Sequence, residues 1–146
     1  MEIVDKIKGA LNLEVRSTPD ADEYFEAVFM SKDLEKLRGD IKILVVEDNK
    51  MNQKVLGMML KSLGYSFDIA DNGYSGFLMA KTTKYDIIFM DLIMPEMDGY
   101  QSAQEILKFD NKTLIVAFSA DNMPESKRKA ELSGIKEFLS KPIRID

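Results

Sequence analysis

Hydrophobic runs alternate with helix-like repeats along the chain from residue 41 onward. Apolar runs predict strands at 41–46, 85–90 and 114–118, a strand-like segment predicts the last strand at 135–139, and an alternating pattern predicts an edge strand at 65–69. Apolar residues at helical spacing predict helices at 55–63, 73–81, 100–108 and 121–133. Gly64 and Gly134 stand where the first and the last of these helices should stop.

This alternation of strands and helices predicts an α/β fold with a parallel sheet. Because the edge strand follows the first strand in sequence, we expect a flavodoxin-like, doubly wound sheet of five strands in the order 2-1-3-4-5. In that order the first and third strands are neighbours, and ligands bind beyond their carboxyl ends. Glu47, Asp48 and Asp91 are the residues that this topology brings together.

Polar residues follow four of the predicted strands. They are the pair Glu47–Asp48, Asp91, Ser119 and Lys141. Asp91 is the most informative, because an apolar strand leads directly into it and a turn built on Pro95 and Gly99 follows. Three acids, a hydroxyl and a lysine at strand ends predict a magnesium-assisted site that accepts a phosphoryl group.

The chain of 146 residues contains neither cysteine nor histidine. Disulfides, thiolate metal sites, histidine zinc sites and Ser-His-Asp triads are therefore excluded, and any phosphohistidine must belong to a partner. The net charge of −5 argues against a nucleic-acid partner, which requires a basic face. No apolar run approaches the length of a membrane span and residues 1–11 are too polar for a signal peptide, so we expect no direct membrane contact and a cytoplasmic location.

Five short motifs occur in order along residues 41–142. They are the acidic pair in Leu44-Val45-Val46-Glu47-Asp48-Asn49, Asp91 with its Met-Pro-x-Met-Asp-Gly tail, Ser119-Ala120, Phe138 and Lys141-Pro142. Together they resemble the receiver domain of two-component signalling. The segment Val46 to Asn52 resembles receivers that are fused to hybrid sensor kinases.

The resemblance implies a set of magnesium ligands. Asp48 and Asp91 would bind Mg²⁺ directly, Glu47 would assist through water, and the backbone carbonyl of Ile93 would be the remaining protein ligand. These are hard oxygen donors, which Mg²⁺ prefers.

The resemblance also implies how the phosphoryl group is handled. Asp91 would be the phosphorylated nucleophile, with Lys141 against the phosphoryl oxygens and Ser119 hydrogen-bonded to one of them after transfer. In the family, this inward movement of the hydroxyl residue lets an aromatic residue rotate, and Phe138 stands at that position. We therefore expect the surface around residues 119–138 to switch.

The implied partners are a histidine kinase, a histidine phosphotransfer protein or both. The chain itself would catalyse only the phosphorylation and dephosphorylation of its own aspartate, although the parent protein could be a hybrid histidine kinase. The alternative is a degenerate receiver that serves only as a docking module. An aspartate-nucleophile phosphatase of the dehalogenase type would need a second aspartate where Ile93 stands, and a DNA-binding regulator would need an output domain after residue 146.

The end of the chain departs from the receiver pattern, because only four residues follow Pro142 and the usual last helix should be missing. We expect this to leave apolar surface beside Ile43, Val45 and Ile135, unless a helix at 31–40 or a second copy of the chain covers it. Self-association through this face is therefore possible.

Residues 1–40 form a separate extension in this interpretation, and residues 41–146 form the receiver domain. Residues 3–11 have the spacing of a short helix, and the segments 11–15 and 25–29 alternate like a hairpin. This extension resembles the closing hairpin of a histidine-kinase ATP-binding domain, although Asp20 and Asp22 replace the glycines usual in its turn. An unrelated hairpin remains the alternative.

Overall fold

The computed structural model describes residues 41–121 and 123–141. These residues form five strands and four helices in strict alternation. The elements are β1 (Ile43–Val46), α1 (Lys50–Ser62), β2 (Phe67–Ala70), α2 (Gly73–Thr82), β3 (Ile87–Met90), α3 (Gly99–Phe109), β4 (Leu114–Ser119), α4 (Pro124–Leu132) and β5 (Glu137–Ser140). The expected extension at 1–40 and the end of the chain at 142–146 lie outside the described residues.

The five strands form one parallel sheet in the order β2-β1-β3-β4-β5. The flavodoxin-like topology is therefore confirmed. Val46 is in register with Ala70 on one side and with Met90 on the other, so the residues that follow these three strands meet at one edge. Because β1, β3 and β4 are paired on both sides and buried, their sequences are continuously apolar.

Each face of the sheet carries its own core. On one face Ile43 and Val45 share a cluster with Leu56 and Leu60 of α1, and both are almost inaccessible. Ile43 and Val45 themselves are therefore buried, whereas the expected covering by residues 31–40 and the missing last helix lie outside the described residues. Ile135 lies in the cluster of the opposite face, so placing it beside Ile43 and Val45 was wrong.

The misplacement of Ile135 has a local cause. Its backbone N–H donates to the Ala130 carbonyl at 2.9 Å, which makes it part of the turn that ends α4. The strand begins only at Glu137, so the two-residue alternation cannot be extended back to Ile135. Gly64 and Gly134 do end their helices, with φ of +88° and +91°, a conformation that glycine adopts without strain.

Helix α4 is the least firmly anchored helix of the described part. It begins at Pro124 rather than at the predicted Asp121, and no side chain caps its first turn. Ala130 is its one buried residue, whereas α1 buries five. None of the described helices combines the length and the apolar character that a membrane-spanning helix needs.

Candidate phosphoacceptor and metal site

Glu47 is the fully buried member of the acidic pair that follows β1. Its backbone N–H donates to the Ala70 carbonyl at 3.0 Å, which continues the ladder one residue past the strand. Its Oε1 accepts from the Asn49 backbone N–H at 3.1 Å and from the Asn52 side chain at 3.4 Å. Asp48 is exposed, so one acid of the pair is held inside the protein and the other faces solvent.

Asp91 follows β3 and is only 4% exposed. Its backbone N–H donates to the Val46 carbonyl at 2.9 Å, and its Oδ1 accepts from the Ile93 N–H at 3.3 Å. One carboxylate oxygen from each of Glu47, Asp48 and Asp91 can be chosen so that all three lie within 4.8 Å of one another. The structure thus brings together the three acids that the sequence placed at neighbouring strand ends.

Lys141 supplies the positive charge of the site. Its Nζ lies 2.7 Å from Glu47 Oε2 and 3.5 Å from Asp91 Oδ1, so one ammonium bridges two buried carboxylates. The same ammonium lies 4.8 Å from the centre of the Phe118 ring. The backbone N–H of Lys141 donates to the Ser119 carbonyl at 2.9 Å, which fixes the end of β5 against the end of β4.

Burial raises the pKa of Asp91 to about 7, and the negative charge of Glu47 adds to the effect. Lys141 and the Ile93 N–H act in the opposite direction without cancelling it. The raised pKa means that the single ammonium of Lys141 does not fully compensate the negative charges of Glu47 and Asp91 together. Three clustered carboxylates with this deficit are a donor set that fits a hard divalent cation.

Replacing Asp91 with asparagine will stabilise the metal-free protein at pH 8, by about 2 kcal/mol after allowance for solvent screening. Because the pKa of Asp91 is higher in the folded state than in the unfolded state, this carboxyl destabilises the wild type least below pH 4, and its contribution to stability is lost as the pH rises through 7. The gain from Asp91→Asn should therefore vanish by pH 4. Urea unfolding of both proteins in EDTA at four pH values measures this gain in the free energy of unfolding. The exposed Glu131→Gln is the control, and an equal gain at every pH would contradict this origin.

Ser119 and Phe138 lie on neighbouring strands. Ser119 ends β4, is buried, and its Oγ accepts from the Asp121 backbone N–H at 3.1 Å. Phe138 of β5 pairs with Ala117 of β4 and is half-buried. The Lys127 ammonium of α4 lies 5.5 Å from the centre of its ring. Ser119 thus contacts the segment that leads into α4, and Phe138 contacts α4 itself.

A second set of contacts joins this segment to α4. The side chain of Asp121 accepts from the Met123 backbone N–H at 3.0 Å and from the Ser126 hydroxyl at 2.5 Å. Tyr100 of α3 donates to the Ser126 carbonyl at 3.4 Å and lies under the Lys129 ammonium. Helix α4 is therefore held mainly by polar and cation–π contacts, which can be exchanged at modest cost.

The sequence interpretation missed several polar residues around the site. Asn49, Asn72 and Asp98 cap α1, α2 and α3 through hydrogen bonds to backbone N–H groups of the first turn. Their residue types, placed just before helical repeats, were a signal that could have found them. Gln53 and Asp71 also lie beside the acidic pair, and nothing in their local sequence marked them.

Comparison with known proteins identifies the family to which this chain is similar. The model of the response regulator receiver domain matches residues 43–146. The chain is 39% identical over 110 residues to hybrid signal transduction histidine kinase F of Dictyostelium discoideum, covering 71% of the chain and 10% of that kinase. Two other curated relatives are matched over only 6% and 14% of their lengths.

Solved structures show the same fold. The receiver domain of Ssk1 from Saccharomyces cerevisiae, crystallised with the histidine phosphotransfer protein Ypd1, is 35% identical with a TM-score of 0.68, covering 73% of this chain and 81% of that one. The receiver domain of sensor histidine kinase PA1611 from Pseudomonas aeruginosa, with a magnesium ion in its active site cleft, is 34% identical with a TM-score of 0.66. That match covers 71% of this chain and 87% of that one.

Proposed function

Since the chain belongs to the response regulator receiver family, we propose that it is the phosphoacceptor domain of a histidine-to-aspartate phosphorelay, with Asp91 as the acceptor. A carboxylate oxygen of Asp91 attacks the phosphorus of a partner phosphohistidine. The phosphorus–nitrogen bond breaks, the imidazole leaves, and an acyl phosphate forms on Asp91. The observation that carries this proposal is the buried Asp91 carboxylate beside Glu47, Asp48 and Lys141.

The residues of the site neutralise and orient charge, as phosphoryl transfer requires. Mg²⁺, bound by Asp48 and Asp91 with help from Glu47 and the Ile93 carbonyl, would supply the positive charge that lets a phosphoryl group approach three acids. Lys141 already bridges Glu47 and Asp91, so its ammonium is placed to turn toward phosphoryl oxygens. The ligand roles rest on the donor set of this chain and on the magnesium found in the related PA1611 receiver.

The proposed switch starts at Ser119. When its side chain moves inward to donate to a phosphoryl oxygen, the Ser119 oxygen moves away from the Asp121 N–H and that hydrogen bond is lost. Asp121 in turn holds Ser126 of α4, and Lys127 of the same helix lies over Phe138. A change at Ser119 is thus passed to α4 and to the ring of Phe138, which alters the surface over residues 119–138.

The proposed partners are a histidine kinase or a histidine phosphotransfer protein, such as the one that binds the related Ssk1 receiver. A donor histidine must reach Asp91, so the interface has to surround the acid cluster. Helix α1 starts beside that cluster and exposes an apolar stripe formed by Met51, Val55 and Met58, with Met51 67% and Met58 63% exposed. We place this exchange in the cytoplasm.

Intact mass after incubation with acetyl phosphate and Mg²⁺ tests the proposal. Wild-type protein should gain one phosphoryl group, and the gain should be absent in Asp91→Asn and in the presence of EDTA. Asp48→Asn should greatly reduce it, whereas Asp86→Asn, an acid at the opposite end of β3, should not.

The same samples report the switch when amide exchange is measured by mass spectrometry. Beryllofluoride with Mg²⁺ should change exchange over residues 119–138 in the wild type and leave it unchanged in Asp91→Asn. A folded protein that takes up no phosphoryl group would instead be the docking module that is the alternative function. Phosphoryl uptake without a change in amide exchange would support Asp91 as the acceptor and would contradict the proposed switch.

A further inference from the structure

The side chain of Gln53 on α1 donates hydrogen bonds to two residues outside its own helix. The side chain is 7% exposed, and its Nε2 donates to the Glu47 carbonyl at 2.6 Å and to Asp71 Oδ1 at 2.8 Å. A side-chain amide nitrogen carries two N–H groups, so both donors are in use. One acceptor follows β1 and the other follows β2, so the amide joins two loops at the site edge of the sheet.

The first acceptor is the carbonyl of the peptide that joins the two acids, Glu47 and Asp48. A peptide is planar, so holding its oxygen also fixes the direction in which the chain leaves Glu47 toward Asp48. The N–H of Glu47 is held from the other side by the Ala70 carbonyl. The backbone at Glu47 is therefore fixed at both of its polar groups, and Gln53 provides one of the two constraints.

The second acceptor anchors Gln53 itself. Asp71 also accepts from the Lys50 ammonium at 2.6 Å, and the hydrogen bonds from Lys50 and Gln53 lower its pKa. An ionised acceptor makes a shorter and stronger hydrogen bond than a neutral one. Asp71 therefore fixes the orientation of the amide, and the amide fixes the Glu47 carbonyl.

We propose that Gln53 is a positioning residue for metal binding, because it sets the angle between the Glu47 and Asp48 carboxylates. It acts through the backbone and does not ligate the ion. Residues that orient metal ligands in this way typically change metal affinity by 10- to 100-fold when they are replaced. The inference rests on the proposed function, since it concerns the magnesium site of that function.

Calorimetric titration with MgCl₂ tests the proposal without any phosphorylation reaction. Gln53→Met preserves the length of the side chain and removes both donors, and it should weaken Mg²⁺ binding about tenfold. Lys50→Met is the matched control, because it removes the other donor to Asp71 but leaves the Glu47 carbonyl bond in place. Its affinity should stay within about twofold of the wild type, because no ligand loses its orientation.

Gln53→Glu separates positioning from electrostatics and from loss of packing. Its carboxylate cannot donate to the Glu47 carbonyl, but its charge attracts a cation, so electrostatics alone predicts tighter Mg²⁺ binding. Positioning predicts weaker binding, and this variant also serves if Gln53→Met does not fold. If folded Gln53→Met or Gln53→Glu binds Mg²⁺ as tightly as the wild type or more tightly, the positioning role of Gln53 is wrong and the metal site stands. If the wild type binds no Mg²⁺, the proposed metal site itself is wrong.

Discussion

Replacing Lys141 with methionine will lower the free energy of unfolding at pH 8 by about 3 kcal/mol in the absence of metal. The ammonium is the counter-charge of Glu47 Oε2 at 2.7 Å, and that carboxylate is fully buried. Methionine has a similar length but no charge, so it leaves two carboxylates close together without a cation. Breaking a buried ion pair from one side is costly because the remaining charge stays desolvated.

Two conditions should reduce this loss. If Mg²⁺ binds these carboxylates as proposed, it binds the folded state preferentially, so millimolar Mg²⁺ should restore much of the variant's stability. At pH 5 Asp91 is protonated, because its pKa is about 7 in the wild type and rises further without Lys141, so only one uncompensated charge remains. Urea unfolding followed by circular dichroism, with EDTA or with Mg²⁺ at both pH values, measures these differences.

Lys50→Met is the control for the loss of a lysine ion pair. Its partner Asp71 lies as close, at 2.6 Å, but both side chains are largely exposed. Exposed pairs contribute less than about 1 kcal/mol, so this variant should lose little stability. Equal losses in the two variants, or a Lys141→Met loss that Mg²⁺ leaves unchanged, would show that Lys141 is not the counter-charge of the site.

Gly99→Ala will lower the free energy of unfolding by at least about 3 kcal/mol, and the remaining folded protein will show no measurable phosphorylation. A Cβ at this position would lie 2.7 Å from Leu92 Cα and well inside contact distance of the Asp91 carbonyl oxygen. Both obstacles are backbone atoms and cannot rotate away. Relief requires a shift of the segment that carries Asp91.

Gly57→Ala is a matched control within a helix. Its added Cβ would meet the Phe67 ring at 2.7 Å, but that ring is the end of a half-buried side chain on the edge strand and can move. Alanine also favours a helix interior by up to about 1 kcal/mol, so the net change should be small. Thermal unfolding and the acetyl phosphate assay measure both variants. A stable, phosphorylatable Gly99→Ala protein would mean that the Asp91 turn adapts easily.

The sequence was sufficient for the sheet order and for the acid cluster because both follow from simple periodicities. Buried parallel strands are continuously apolar, and the edge strand β2 alternates, so the order could be inferred from residues 41–139. Once the order was known, the residues after β1 and β3 had to be neighbours. Glu47, Asp48 and Asp91 were placed correctly for that reason.

Other features depend on contacts that are distant in sequence and leave no periodic signal. The bridge from Gln53 to Asp71 spans 18 residues, and an amide on a helix looks like any polar surface residue until the loops are in place. The start of α4 was placed three residues too early, because Asp121 belongs to a turn before Pro124 from which its side chain accepts from Ser126. The extension at 1–40 and the metal ligand roles remain predictions.

The single buried residue of α4 has a consequence for the surface of this helix. Only Ala130 is constrained by the core, and a larger residue there would press on the sheet. Exposed positions of α4 outside the contacts of Ser126, Lys127 and Lys129, such as Arg128 and Glu131, can change their charge and shape at little cost to the fold, because substitutions on exposed surfaces rarely alter stability by more than about 0.5 kcal/mol. The surface that α4 presents at these positions can therefore change without disturbing the acid cluster at the ends of β1 and β3.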